Sequence, residues 1–163
     1  MLDPKIRQDL EAACKRAKII GLAMMASVLI YLLLAYFIST GQGIKTKTDP
    51  GMLNTLTAVF VFISLGLGVG LFFIRRALFS PVKAAEAVQK GIPGNIFFSA
   101  TTVAFALAEA PAVLGLVLFL LGGGWTPLMG LSVLSIIYFL MAWPRFSSWE
   151  ETFVEALRLS PKL

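Results

Sequence analysis

Residues 19–39 read "IIGLAMMASVLIYLLLAYFIS", and none of them carries a charge. Three further apolar runs follow, at residues 53–74, 97–121 and 127–143. A helix needs about 20 mostly apolar residues to cross a bilayer. The four runs therefore predict an all-α integral membrane protein with four transmembrane helices, the second and third forming a central hairpin. Composition agrees: 58% of the 163 residues are hydrophobic, 14% are charged, and the mean hydropathy is +0.84. What remains is too short for a soluble domain, so residues 1–163 read as one membrane unit. The first run is also longer than the roughly 7–15 apolar residues of a signal sequence, which predicts an uncleaved first span.

The basic residues give the orientation. Lys5, Arg7, Lys15, Arg16 and Lys18 precede the first span. Arg75, Arg76, Lys83 and Lys90 lie between the second and third, and Arg145, Arg158 and Lys162 follow the fourth. The other side has only Lys45 and Lys47. Twelve against two predicts cytoplasmic termini, in a multi-pass protein of a bacterial inner membrane. The net charge of +5 then reports contact with anionic lipid head groups. Nucleic-acid binding is not expected, because basic and aromatic residues are not interleaved over a large enough surface.

Segments between the spans carry local signals. Asp3 reads as an N-cap with Pro4 at the first helical position. Leu2, Ile6, Leu10 and Ala13 recur at helical spacing, which predicts an amphipathic surface segment over about 3–17. Ser80 and Pro81 start a short helix, in which Glu86 and Lys90 pair four apart and Gly91 ends the run. Ser148 and Glu151 form a capping-box pattern for a second surface segment over about 148–159, with Trp149, Phe153 and Leu157 facing the inner leaflet. Trp125 and Trp143 bracket the fourth span as interfacial anchors. Cys14 is the single cysteine and the chain has no histidine. No internal disulfide or zinc site is expected, and Cys14 reads as an inert surface thiol.

The third span holds the one acidic residue inside any span, Glu109, at its midpoint. No Lys or Arg lies within a span to pair with it. An isolated carboxylate costs more to ionise in hydrocarbon than to protonate, so the neutral acid is the expected form. A group that holds a proton there and releases it to water or a cation is suited to proton carriage. Pro111 removes an N–H and frees the carbonyl of Leu107, and Thr101, Thr102 and Ser99 supply hydroxyls nearer the cytoplasmic end. These residues form the expected ion site, with Thr101, Thr102, Leu107 and Pro111 supporting Glu109. The other outcome is structural: a neutral Glu109 that hydrogen-bonds a neighbouring helix.

The second span reads "TAVFVFISLGLGVGLFF". Ser64 and Gly68 stand four apart, as do Gly66 and Gly70, and such pairs allow close helix approach. With a hairpin turning near residue 88, position 67 falls at the depth of Glu109. Ser64, Gly66, Gly68, Gly70 and Gly115 are the expected packing residues.

A glycine-alternating helix, a polar loop and a helix reading "EAPAVLGLVLFLL" together resemble the proteolipid c subunit of rotary ATP synthases and related ATPases. Residues 55–121 carry the likeness. Glu109, Ala110 and Gly115 fall on the family's acid, alanine and glycine, and Pro111 matches a proline found in some members. Leu114 stands where many members have tyrosine; Gln89, Lys90 and Pro93 only loosely echo the loop signature. Four spans replace the usual two, with an extra helix on either side of the hairpin. The resemblance implies a homo-oligomer or partner membrane subunits, and H+ or Na+ as the transported ion bound by Glu109. No cofactor, metal or catalytic residue is expected: phosphate loops, cysteine pairs and a second acid near Glu109 are all missing from the sequence. The chain is then a non-catalytic subunit, either ion-translocating or a four-helix scaffold or accessory subunit.

Overall fold

The computed structural model describes residues 3–41, 49–78, 80–89 and 93–159. The expectations on Leu2, Lys45, Lys47, Lys90, Gly91 and Lys162 lie outside these residues. The elements are α1 (Pro4–Gly41), α2 (Pro50–Leu78), α3 (Pro81–Gln89), α4 (Pro93–Leu118), α5 (Trp125–Ala142) and α6 (Phe146–Leu159), with a π-helical turn, Phe119–Gly123, closing α4. Among the described residues there is no strand. Pro4–Gly41, Pro50–Ile74, Gly94–Gly123 and Trp125–Ala142 are each long and apolar enough to cross a membrane.

The helix starts have a common chemical cause. Helices α1 to α4 each begin on a proline, whose missing N–H would be unbonded in a first turn anyway. Asp3 Oδ1 accepts the Lys5 N–H at 2.8 Å, Asp49 Oδ2 that of Met52 at 3.2 Å, and Ser80 Oγ that of Lys83 at 3.5 Å. A carboxylate from another helix serves α4: Gly94 N–H donates to Asp9 Oδ2 of α1 at 2.8 Å. A Cβ on Gly94 would lie 2.8 Å from that oxygen and 3.0 Å from Ala13 Cβ, so the glycine permits the approach. The Ser148 capping box is a correction. Helix α6 begins earlier, at Phe146, and the Ser148 carbonyl accepts the Thr152 hydroxyl at 2.8 Å from inside the helix. Between α4 and α5 the chain reverses on Gly122 (φ 96°) and Gly124 (φ 74°), a conformation that favours glycine.

Helix α4 is central. It packs on α1, α5 and α2, whereas α1 and α2 share no comparable interface. Ala104, Ala108 and Ala112 recur every fourth residue along its buried face. Small side chains there let neighbours come close, which inside lipid replaces the hydrophobic effect as the source of cohesion. Gly21 of α1 receives the Phe105 ring; a Cβ on Gly21 would lie 2.6 Å from that ring's tip. Around these residues Val28, Leu71, Tyr138 and Phe139 complete the mid-bundle core.

A second core sits at the end that carries both termini. Leu10, Ala13, Cys14 and Ala17 of α1 meet Ala84 and Ala87 of α3, Phe97 of α4, and Trp149, Phe153 and Ala156 of α6. The Phe97 ring lies 5.3 Å from Trp149 and 5.0 Å from Phe153, centroid to centroid. Where such a side chain is withdrawn from water, its burial contributes roughly 1.5–3 kcal/mol. This arrangement corrects two expectations. The 3–17 segment is the first part of a continuous α1, and its apolar stripe covers α6 and α3 instead of resting on lipid. The Trp149–Phe153 face of α6 is likewise buried in protein, and Cys14 is buried with it, not at the surface.

Candidate functional site

Glu109 projects from α4 toward α1 and is half-buried. Its Oε1 is in hydrogen-bond contact with the Ser27 hydroxyl and accepts the Tyr31 hydroxyl at 2.5 Å. Ser27 and Tyr31 stand four apart on α1, so one face of that helix supplies both groups. The ion pairs among the described residues, Arg7–Glu11 and Arg7–Glu150, lie at the terminal end and do not involve Glu109.

Counting protons defines the chemistry. Ser27 Oγ touches two oxygens, Glu109 Oε1 and the Met24 carbonyl, the latter at 2.6 Å. One hydroxyl carries one proton, and a carbonyl carries none. With an ionised Glu109, one of these two close oxygen pairs has no proton between its members. With a neutral acid the chain closes: Tyr31 donates to Oε1, the acid O–H donates to Ser27 Oγ, and Ser27 donates to Met24. The geometry thus accommodates a carboxylic acid with every contact satisfied.

The other expected site residues fall elsewhere. Thr101 and Thr102 donate to the carbonyls of Phe97 and Phe98 in their own helix, at 2.8 and 2.9 Å. They lie seven or eight residues from Glu109, about 10–12 Å along the helix. Leu107 packs beside the mid-bundle core, and Pro111 is fully buried. Helix α5 serves the backbone near the proline: Ser135 Oγ donates to the Ala108 carbonyl at 2.6 Å. Ser64 is buried, and its carbonyl accepts the Tyr138 hydroxyl at 3.0 Å. A Cβ on Gly68 would meet the Tyr138 hydroxyl and lie 2.5 Å from its Cζ. Gly66 and Gly70 would meet nothing within 4 Å. Gly115 packs on Leu128 and Leu131 of α5.

Ser27, Tyr31 and Ser135 were not singled out in the sequence. The available signal was polar residues inside otherwise apolar runs, with Ser27 and Tyr31 four apart. Tyr31→Phe removes one of the two hydroxyls on Oε1. It is expected to lower stability by about 1 kcal/mol, read as a reduced melting temperature in detergent. An unchanged melting temperature would show that the contact adds nothing to stability.

The chain matches no protein-family model, no curated protein and no solved structure.

Proposed function

We propose that this chain is a four-helix membrane scaffold or accessory subunit, in which a neutral Glu109 fastens α1 to α4. The observation that carries this reading is the convergence of Ser27 and Tyr31 on one carboxyl oxygen. Three other hydroxyls argue the same way. Thr101 and Thr102 are engaged by their own helix and Ser135 by the Ala108 carbonyl, so they form no polar path leading from Glu109. Helix α2 exposes Phe62, Leu65, Val69, Phe72 and Phe73, an apolar surface for lipid or for a partner membrane subunit. Both termini face the cytoplasm in this proposal, from the twelve-to-two basic asymmetry.

One observation favours a second reading, ion translocation in the manner of the c subunit: Glu109 is only half-buried, so a passing cation on another subunit has access to it. The transported ion would be H+ or Na+.

Glu109→Gln separates the readings. The amide keeps the shape and all but one of the hydrogen bonds but cannot release a proton. Under the scaffold proposal it assembles normally and leaves any ion-coupled activity of the assembled complex intact. Wild-type protein should also react slowly with a hydrophobic carbodiimide at Glu109, since the neutral acid is the reactive form. Normal assembly of Glu109→Gln with loss of ion movement would replace the scaffold by the translocating subunit.

A further inference from the structure

A groove of about 460 Å3 opens between α3 and the first turns of α4, at the end that carries the termini. Lys83 and Glu86 line it from α3; Asn95, Ser99 and Val103 line it from α4. The three α4 residues are exposed and four apart, so they form one stripe about 12 Å long. Along that stripe the chemistry changes from an amide, through a hydroxyl, to an isopropyl group, in the direction that α4 enters its apolar span. Ala106 continues the face and is also exposed. An occupant must be polar at one end, apolar at the other, and aligned with the span. A membrane lipid has that form.

The polar end narrows the choice. Lys83 and Glu86 are both exposed, and neither is in an ion pair among the described residues. A cation and an anion side by side match a zwitterionic head group. Lys83, with Asn95 and Ser99, offers donors to a phosphate at the level of the first turns of α4. Glu86 offers an acceptor to an ammonium. A choline head group has no N–H to give it, and an anionic head group is repelled by it. We infer that this groove binds one phospholipid whose head group carries a phosphate and a primary amine, the phosphatidylethanolamine class, with an acyl chain lying over Val103 and Ala106.

The test uses the full-length chain, stripped of lipid in mild detergent and titrated separately with phosphatidylethanolamine, phosphatidylcholine and phosphatidylglycerol under native mass spectrometry. One phosphatidylethanolamine should be retained about tenfold more tightly than either of the others, the worth of one charge-assisted hydrogen bond. Glu86→Gln should abolish the preference over phosphatidylcholine while binding persists. Lys83→Ala should weaken both lipids about tenfold. Both side chains are exposed, so neither change should disturb the fold. Equal retention of the three lipids, a preference for phosphatidylglycerol, or variants that keep the wild-type preference would overturn the assignment. So would competition by soluble glycerophosphoethanolamine at the lipid's own concentration, since that would make the acyl chain irrelevant.

Discussion

Glu109→Leu is expected to destabilise the bundle by about 2 kcal/mol, through the donors it leaves behind. Leucine fills a similar space, so little of the loss comes from packing. Ser27 keeps an acceptor in the Met24 carbonyl at 2.6 Å. The Tyr31 hydroxyl loses the carboxyl it donates to and keeps only the Ser27 hydroxyl, already committed to Met24, as a neighbouring polar group. Most of the cost therefore resides in Tyr31. A double-mutant cycle reads this directly. In a Tyr31→Phe background the same leucine should cost much less, because the stranded hydroxyl is gone. Glu109→Gln should cost less, about 1 kcal/mol, because no single amide atom can both accept from Tyr31 and donate to Ser27 as the acid Oε1 does. The measurement is reversible unfolding in mixed micelles. Equal costs of Glu109→Leu in both backgrounds would mean that the carboxyl acts on something other than α1, and the clamp would have to be abandoned.

The spans were legible because hydrocarbon demands length and apolarity, and both are written in one dimension. The continuity of α1 was not. Lys15, Arg16 and Lys18 look like an interfacial break, yet they occupy the exposed side of a helix whose other side, Leu10, Ala13, Cys14 and Ala17, faces α6 and α3. A stripe of that kind fits lipid or protein equally well until the partner is known. Glu109 was legible as the one acidic residue within the spans. Its partners lie 82 and 78 residues away on another helix, a separation that no local pattern encodes.

The direction in which each side chain leaves its helix was not legible. Counting residues from a turn gives height. It does not give the direction a side chain leaves the helix, and Glu109 turns to α1 while Gly68 turns to Tyr138 of α5. The glycines show the same limit. Ser64–Gly68 and Gly66–Gly70 have identical spacing, but only the first pair meets another helix.

Gly115→Leu follows from that contrast and should approach the loss at Glu109. A Cβ there would stand 3.1 Å from Leu131 Cβ, 3.2 Å from Leu128 Cα and 3.3 Å from the Leu128 carbonyl oxygen. An alanine needs a shift of a few tenths of an ångström. The branched end of a leucine needs the α5 backbone itself to move, and overpacking of this kind costs typically 1–3 kcal/mol, occasionally more. Higher helix propensity returns up to about 1 kcal/mol, which leaves a net loss of up to about 2 kcal/mol. Moving α5 also draws Ser135 off the Ala108 carbonyl, so the backbone beside Pro111 loses its outside donor. At Gly68 the obstacle is the end of the Tyr138 side chain. That ring can swing away by giving up the Ser64 carbonyl, so Gly68→Leu should cost less. Gly66→Leu meets open space, keeps only the propensity gain, and should be neutral or slightly stabilising in the monomer. The expected order of melting temperatures is therefore Gly66→Leu highest, Gly68→Leu next and Gly115→Leu lowest. If Gly66→Leu instead fell to the bottom of that order, the open face of α2 would be the one that packs, against a helix from another subunit.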